Sequence, residues 1–333
     1  MAKGVSQNLH KAKAAKQDEF YTQLVDIENE LQYYQKHFEG KVIYCNCDDP
    51  KVSNFFLYFA RNFWHLKLKK LICSCYRNTD PSHFSLGESD RGCFFEYEGR
   101  DSQGKELHAL DEIGQFIPTI KSFEFKGDGD FRSKESIALL KKSDIVVTNP
   151  PFSLFREFVA QLVEYDKKFV IIGNKNALSY KEIFSLIREN QLWTGYRGFS
   201  GGMWFRSDYE GKTEKIVDGE KLINVASIWF TNLDIKKRHE VLEMYYSYAK
   251  TPEKYPKYDN YDAINVDKTT EIPFDYDGVM GVPLTFVDKY NPEQFEIVGQ
   301  MATTKVDEFN FGYPFINGQK KYARLLIKQR AKK

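Results

Sequence analysis

Short, mostly apolar runs alternate with segments of helical periodicity through the first two thirds of the chain. The longer apolar runs predict strands at residues 41–47, 70–76, 144–148, 168–173 and 225–230, with a shorter strand at 122–125 and a hairpin around residues 93–97. Helices are predicted at residues 26–38, 52–66, 133–140, 155–165 and 180–190, with Ser133 as the cap of its helix. Because strands buried on both faces read as continuous apolar runs, this succession predicts an α/β fold with a doubly wound, largely parallel sheet.

The alternation fades beyond Lys236. Tyrosine, aspartate, asparagine and proline dominate residues 255–292, which predicts a compact but irregular second region. Residues 195–222 are rich in glycine and charge, so we expect a loop or an insertion there. The predicted division, which agrees with the length of the chain, is a first domain at residues 1–235 that contains this insertion and a second region at residues 236–333.

The composition indicates a globular protein inside the cell. Hydrophobic residues make up 42% of the chain, enough for a substantial core. No run approaches the roughly 18 consecutive apolar residues of a membrane span, so no membrane partner is expected. Residues 1–16 are polar and basic, unlike a secretory signal. Five cysteines without such a signal indicate a reducing compartment, and we expect a cytoplasmic protein.

Three stretches of the chain are basic and contain no acidic residue, although the formal net charge is only +1. They are residues 1–16, 51–78 and 318–333. Basic stretches that lack an amphipathic lipid-binding stripe suit a polyanion such as nucleic acid better than a membrane. Solvated charged faces and a frayed tail explain each stretch equally well, so the charge only supports a nucleic-acid partner.

The strand predicted at residues 144–148 ends on Asn149-Pro150-Pro151-Phe152. Proline fixes φ and has no N–H, so the carbonyl groups before the two rings are not held in a strand ladder and can face a ligand. The Asn149 carboxamide and the Pro150 carbonyl can both accept hydrogen bonds from one amino group, while Phe152 stacks on a flat ring. These features predict methyl transfer to adenine N6, and the alternative is a plain turn that ends a strand.

Two further polar corners follow predicted strands, where a doubly wound sheet binds its ligands. Residues 48–50 (Asp-Asp-Pro) follow the first strand, and residues 127–131 (Gly-Asp-Gly-Asp-Phe) follow the strand at 122–125. Glycine allows close backbone approach, and an aspartate before a phenylalanine can accept a hydrogen bond from an adenine amino group whose ring lies on the phenylalanine. A simple turn or a divalent-metal loop is the alternative for the second corner.

The spacing of the cysteines raises the alternative of a metal site. Cys45 and Cys47 would share one face of a strand, and Cys73 and Cys75 one face of the next strand. Their spacing matches no common zinc pattern, and small buried thiols suit strand cores. No metal is therefore predicted.

Several stretches resemble the EcoRI-type DNA adenine-N6 methyltransferases. Residues 18–23 (Asp-Glu-Phe-Tyr-Thr-Gln) look like the N-terminal S-adenosyl-L-methionine (AdoMet) motif of that family, residues 149–152 like its catalytic motif and residues 130–131 like its adenine-binding corner. Four more stretches are similar to the same family, at residues 28–34, 44–50, 258–266 and 278–283. The resemblance extends from about residue 8 to residue 295.

This resemblance implies a Rossmann-like, AdoMet-dependent methyltransferase sheet with an appended irregular target-recognition region. The implied activity is site-specific methylation of a flipped-out adenine in double-stranded DNA, by a bacterial or phage-encoded enzyme of restriction-modification or by an orphan methylase. We expect a monomer, with any cognate restriction endonuclease acting separately. The alternatives are an RNA adenine or protein glutamine-amide methyltransferase and, in another class, a non-catalytic AdoMet-sensing or DNA-binding protein.

The expected site residues fall into three groups. The catalytic group is Asn149, Pro150, Pro151 and Phe152. The cofactor-binding group is Phe20, Tyr21, Thr22, Asp48, Asp49, Pro50, Asp128, Asp130 and Phe131. The DNA-binding group is Arg197 and Arg206, for guanine edges or phosphates, with Lys320 and Lys321 for the DNA backbone. The second strand ends in Cys75-Tyr76 rather than in the acid that usually holds a ribose, so the ribose contact has no predicted partner.

Overall fold

The computed structural model describes residues 21–47, 53–76, 92–101, 103–107, 122–199, 202–206, 215–217 and 220–331. These residues divide into two compact units, drawn from Met1–Asn174 with Ser200–Leu233 and from Lys175–Phe199 with Asp234–Lys333. Four of the expected cofactor residues lie outside the described part of the chain, namely Phe20, Asp48, Asp49 and Pro50.

Helices form where the periodicity predicts them. The α-helices of the described residues are α1 (Leu24–Leu31), α2 (Gln35–Phe38), α3 (Asn54–Arg61), α4 (Lys134–Lys142), α5 (Phe155–Glu164) and α6 (Lys181–Arg188). Short 3₁₀ turns occupy Gln32–Tyr34, Phe152–Leu154, Lys175–Ser179, Lys236–His239, Pro252–Lys254, Thr269–Glu271 and Leu284–Lys289. No helix in these ranges is both long enough and apolar enough to cross a membrane.

Serine side chains cap the N-termini of two helices. Ser133 Oγ accepts a hydrogen bond from Ser136 N at 3.1 Å, which confirms the predicted cap of α4. Ser53 Oγ accepts from Phe55 N at 3.1 Å and from Phe56 N at 3.3 Å at the start of α3. Such caps satisfy backbone N–H groups that the first helical turn leaves without partners, and each is typically worth about 1 kcal/mol.

The strands of the first unit are β1 (Tyr21–Thr22), β2 (Val42–Asn46), β3 (Lys70–Cys75), β4 (Cys93–Tyr97), β5 (Ser122–Glu124), β6 (Ile145–Thr148), β7 (Lys168–Asn174), β9 (Met203–Arg206), β10 (Lys215–Val217), β11 (Glu220–Val225) and β12 (Ser227–Thr231). The strands of the second unit are β8 (Trp193–Thr194), β13 (Ile264–Asn265), β14 (Met280–Pro283), β15 (Phe295–Met301), β16 (Phe315–Ile316), β17 (Gln319–Lys320) and β18 (Arg324–Gln329). The strands predicted in the first two thirds of the chain are therefore present.

Seven strands of the first unit lie side by side in the order β5-β4-β3-β2-β6-β7-β12. The four in the middle, β3, β2, β6 and β7, are parallel, whereas β4, β5 and β12 are antiparallel to their neighbours. The fold is thus α/β with a large mixed sheet. The chain runs from β2 to β3 on one side and later enters β6 on the other side of β2, so the strand order reverses between β2 and β6.

Helices cover this sheet on both faces. The Tyr44 hydroxyl of β2 lies 2.8 Å from Ser74 Oγ and beside Ser136 of α4. Tyr97 of β4 instead packs edge-on against Phe56 of α3, with ring centroids 6.3 Å apart. The register of β2, β3 and β4 puts these two tyrosines on opposite faces, because side chains alternate along a strand. Helices α3 and α4 therefore bury opposite faces of the sheet.

The glycine-rich segment at residues 195–222, predicted to be a loop or an insertion, forms strands in its described part. It contains β9, β10 and the start of β11, and these strands form a second sheet in the order β1-β9-β11-β10. Met203 and Phe205 are buried, while Trp204 and Arg206 between and after them are half-buried. Strands that are this short and buried on one face only have a composition similar to that of a polar loop. Composition alone therefore does not predict them.

The second unit has its own core around a four-stranded sheet in the order β13-β14-β18-β15. The central strand β18 lies in the basic tail, and its residues Leu325, Leu326 and Ile327 are fully buried. A frayed tail is therefore excluded for residues 324–329, because β18 pairs with both β14 and β15. A two-stranded hairpin, β16 and β17, precedes β18.

Candidate functional site

The Asn-Pro-Pro-Phe corner at residues 149–152 follows β6 directly, in the middle of the large sheet. Pro150 is buried and the other three residues are half-buried, and Phe152 begins the 3₁₀ turn that leads into α5. The Thr148 hydroxyl donates a hydrogen bond to the carbonyl of Asn46, at the end of β2. The corner therefore sits where the strand order reverses, which is where open α/β sheets bind ligands.

The second sheet brings the N-terminal motif to this corner. The ring of Phe205 in β9 packs edge-on against Phe152, with centroids 6.2 Å apart and planes at 83°. Thr22 pairs with Phe205 in the ladder of β1 and β9, and the ring of Tyr21 lies 4.8 Å from the Arg206 guanidinium. The expected cofactor and catalytic residues of β1 and β6 thus meet around Phe205. The apolar run Met203-Trp204-Phe205 is the sequence signal for this strand, but nothing in it indicates a contact with Phe152.

Two buried polar atoms, one in β1 and one at the end of β2, have no hydrogen-bond partner among the described residues. They are Thr22 Oγ1 and Asn46 Oδ1, and the two residues are 5% and 2% exposed. The Thr22 carbonyl, by contrast, accepts from Asn54 Nδ2 at 2.8 Å. A buried polar group without a partner costs roughly 1–3 kcal/mol, so both atoms suit a polar ligand.

Asp130 is held by a neighbouring arginine in the loop at residues 127–131. Its carboxylate accepts from Arg132 Nη2 at 2.7 Å, from Arg132 Nε at 2.9 Å and from Arg132 N at 2.8 Å. These hydrogen bonds lower the pKa of Asp130, because they favour the charged form. Arg132 also pairs with Glu157 of α5 at 2.9 Å, so the loop is tied to that helix. The carboxylate is ionised at neutral pH and is an acceptor, as expected for contact with an amino group.

Gly129 needs to be glycine for two reasons. Its φ is +83°, in the left-handed region, and a Cβ atom there would lie 2.5 Å from the Cys75 carbonyl at the end of β3. A Cβ atom at Gly92, before β4, would likewise lie 2.4 Å from the Asp128 carbonyl. Gly129 therefore allows the loop to lie directly against the end of β3. Gly127 has no such requirement, since the nearest atom to its Cβ position is 3.8 Å away.

Phe131 is buried in the core beneath the loop, with only 6% of its surface exposed. Its ring packs edge-on against Phe158 of α5 at 5.2 Å, and its carbonyl accepts from Gln161 Nε2 at 3.1 Å. These contacts anchor the loop to α5 and leave little of the ring for a purine.

The expected DNA-binding residues lie in three different settings. Arg206 stacks on Tyr21 in the second sheet of the first unit. Arg197 is exposed in the second unit, after Tyr196, whose carbonyl accepts from Lys237 Nζ at 2.8 Å. Lys320 and Lys321 belong to the hairpin region of the tail, where Lys320 Nζ lies 3.3 Å from the centroid of the Tyr313 ring.

Within the described ranges, no group of three or more His, Cys, Asp or Glu side chains is arranged to hold a metal ion.

Comparison with known proteins places the chain among methyltransferases. The family described as "Adenine-specific methyltransferase EcoRI" matches residues 8–330. The chain is 54% identical to the type II methyltransferase M.EcoRI of Escherichia coli over 97% of this chain and 96% of that protein. It is 39% identical to M.MgeORF184P of Mycoplasma genitalium, over 97% of the chain and 98% of the relative. It is also 39% identical to M.MpnI of Mycoplasma pneumoniae, over 96% and 98%. No solved structure matches the chain.

Proposed function

Because the chain belongs to the family of EcoRI-type adenine-specific methyltransferases, we propose that its corner at residues 149–152 transfers a methyl group from AdoMet to adenine N6. The protein is a site-specific DNA adenine methyltransferase, and the family implies AdoMet as the methyl donor. The observation that carries the assignment of the site is the meeting of Phe152, Phe205 and β1 at the strand-order reversal.

In the proposed mechanism the target adenine first leaves the duplex, because its amino group is inaccessible inside the stack. Asn149 Oδ1 and the Pro150 carbonyl accept hydrogen bonds from N6, and this orients the nitrogen lone pair. Phe152, held edge-on by Phe205, stacks on the adenine ring. No strong base is required, because the proton leaves after the nitrogen has become positive. Catalysis therefore rests on alignment and local electrostatics.

We further propose that the large sheet is the Rossmann-like cofactor sheet of this enzyme. Its parallel centre, its helices on both faces and the strand-order reversal beside the catalytic corner support this assignment. Thr22 Oγ1 and Asn46 Oδ1 suit the polar groups of the cofactor, and Asp130 suits its adenine amino group. Tyr21, Asp128 and the expected contacts at residues 20 and 48–50 complete the proposed site. AdoMet, when bound, supplies the electrophilic methyl group.

Sequencing of genomic DNA tests the proposed function directly. Cells that lack other adenine methyltransferases would express either this chain or its Asn149→Ala variant, followed by methylation-sensitive long-read sequencing. We expect N6-methyladenine at one recurring DNA motif with the natural chain and none with the variant. Methylation that is absent, or that is scattered without a motif, would contradict the proposal.

Asp130→Ala is expected to weaken AdoMet binding at least about tenfold, or about 1.4 kcal/mol. The change removes the proposed acceptor for the cofactor's adenine amino group, and it also releases Arg132 from the loop. DNA affinity measured without cofactor should stay the same. Calorimetry measures the first effect and fluorescence anisotropy with labelled DNA the second.

Glu157→Gln is the matched control for Asp130→Ala. It breaks only the second ion pair of Arg132, the one with Glu157. About half of each of these two side chains is exposed, so the pair contributes little to stability. AdoMet affinity should therefore be unchanged in this variant. An unchanged affinity in Asp130→Ala as well would refute the assignment and direct attention to Asp128 or Asp49.

We propose that the target sequence is read outside the large sheet, by residues 195–222 and by the region at 236–333. The strand-end corners are assigned to the cofactor and the target base, so base-edge contacts have to come from elsewhere. The hairpin of β16 and β17 suits contact with the DNA backbone, because its residues from Asn317 to Lys320 are exposed. Tyr322, just beyond it, is 87% exposed.

A neighbouring carboxylate holds the tip of this hairpin. Asp259 accepts from the backbone N–H groups of Asn317 at 3.0 Å and Gly318 at 2.7 Å. Both turn residues have positive φ, +51° and +71°, as the tight turns of two-residue hairpins require. Asp259 belongs to the stretch at 258–266 that resembles the family. The hairpin is therefore a preformed element, and its lysines can meet phosphates without a large ordering cost.

Arg197→Ala is expected to cost about 1–3 kcal/mol of binding to target DNA while leaving random DNA unaffected. The double variant Lys320→Ala with Lys321→Ala should instead weaken binding to all sequences alike and reduce its salt dependence, because phosphate contacts carry no sequence information. Anisotropy titrations of target and random duplexes at several salt concentrations separate the two effects.

Lys142→Ala, at an exposed lysine of α4 outside the proposed DNA-binding regions, is the control for the hairpin lysines and should change neither affinity. If Arg197→Ala and Arg206→Ala both lost affinity equally for target and random DNA, residues 195–222 would be a phosphate clamp. The sequence reader would then have to lie among residues 255–268.

A further inference from the structure

Two cysteines face each other across β3 and β4. Cys75 pairs directly with Cys93 in the antiparallel ladder, and their Sγ atoms are 3.1 Å apart. Opposed residues of antiparallel strands have Cα atoms about 4.5–5.5 Å apart, within the range that a disulfide bridges. We propose that Cys75 and Cys93 form a redox-active dithiol that is oxidised to an intramolecular disulfide, and that this disulfide weakens cofactor binding.

Exposure distinguishes this pair from Cys45 and Cys73, and direct opposition in a strand ladder distinguishes it from Cys47, which is also half-buried. Cys75 and Cys93 are both half-buried, so a small oxidant can reach them. Cys45 and Cys73, which are register partners on β2 and β3, are fully buried. Disulfides in the cytosol are usually transient and redox-sensing rather than structural, and a half-exposed pair at a strand end fits that use.

The oxidant belongs to the class of small-molecule disulfides. The thiolate of one cysteine attacks a sulfur of the small disulfide and releases one small thiol, which leaves a mixed disulfide on the protein. The thiolate of the second cysteine then attacks the protein sulfur of that mixed disulfide and releases a second small thiol. The protein dithiol gives up two electrons and two protons, and one small disulfide becomes two thiols.

The coupling to the cofactor passes through the backbone beside the two sulfurs. The Cys75 carbonyl would lie 2.5 Å from a Cβ atom at Gly129, so β3 ends directly against the loop at residues 127–131. On the opposite strand, Gly92 N donates to the Gly127 carbonyl at 3.1 Å. Bond formation draws the two sulfurs about 1 Å closer together. Because the loop contacts the ends of both strands, the proposed disulfide displaces it through these contacts, and Asp130 shifts with it.

The test uses oxidised glutathione on the purified full-length enzyme, with dithiothreitol to reverse the reaction. Mass spectrometry should find a loss of two hydrogens and a single peptide link between Cys75 and Cys93. Calorimetry should find that oxidation weakens AdoMet binding at least about tenfold, and that reduction restores it. Cys93→Ser and Cys75→Ser should each block both effects. Cys45→Ala, at a buried cysteine, should still form the link.

Each result decides one part of the proposal. The absence of a Cys75–Cys93 link after oxidation, or a link through other cysteines, overturns the dithiol. A link that changes AdoMet affinity less than twofold overturns the coupling. The coupling rests on the proposed cofactor site, and failure of that site is separately visible as a reduced enzyme whose AdoMet affinity is unaffected by Asp130→Ala.

Discussion

Replacing Asn149 by alanine is expected to abolish detectable methyl transfer, a loss of at least about a thousandfold. Asn149 follows β6 beside Phe152, and its buried Oδ1 atom is the acceptor proposed for the target amino group. AdoMet affinity should stay within about tenfold, or about 1.4 kcal/mol, because this side chain faces the target amine in the proposed arrangement. Transfer of labelled methyl groups into DNA and calorimetry with AdoMet measure the two quantities.

Ser153→Ala provides the control for this variant. Ser153 is exposed in the 3₁₀ turn Phe152–Leu154 that follows the corner. It has no role in the proposed mechanism, so methyl transfer should proceed at the natural rate. Circular dichroism of both variants tests whether the fold is retained. A fully active Asn149→Ala enzyme would contradict the mechanism, whatever its affinity for the cofactor.

Gly129→Val is expected to have the largest effect on the proposed cofactor site. A β-branched residue at φ +83° costs about 1–3 kcal/mol in the backbone alone, and its Cβ atom would collide with the Cys75 carbonyl at 2.5 Å. The loop has to move to relieve this contact, so AdoMet affinity should fall more than tenfold. Urea unfolding measures the loss of stability and calorimetry the loss of affinity.

Gly127→Ala is the matched control two residues away. The Cβ atom that it adds meets nothing closer than Glu135 Oε2 at 3.8 Å, so both stability and affinity should change little. If Gly129→Val does not fold, Gly129→Ala makes the same comparison with a smaller side chain. Equal AdoMet affinity in Gly127→Ala and Gly129→Ala would show that the loop does not bind the cofactor.

Local sequence determined the elements that depend on neighbouring residues. Helix α4 begins after Ser133 because a serine hydroxyl satisfies the first backbone N–H groups, and both partners lie within one turn. The corner at residues 149–152 is predictable for the same kind of reason. Two prolines at the end of an apolar run end the strand, whatever the tertiary contacts of that strand are. Residues 149–152 can therefore be identified from the sequence alone.

Only the tertiary structure decided what this corner meets. Thr22 and Phe205 lie far apart in the chain, and the periodicity of neither segment predicts that they pair in β1 and β9. The sequence of residues 195–222 predicts a loop or an insertion rather than strands, because short strands that are buried on one face only have a mainly polar sequence. The neighbours of Phe152 therefore could not be predicted.

The basic tail and the cysteine pair illustrate the same division. Charge predicted a polyanion partner for the tail, but the burial of Leu326 follows from pairing with β14 and β15 on either side. The odd number of cysteines indicated a reducing compartment, whereas the register of β3 against β4 decided that Cys75 opposes Cys93. Periodicity, caps and turns are local properties that a sequence carries by itself. Strand order and register join distant segments, so they depend on which packing of the whole chain buries the most apolar surface.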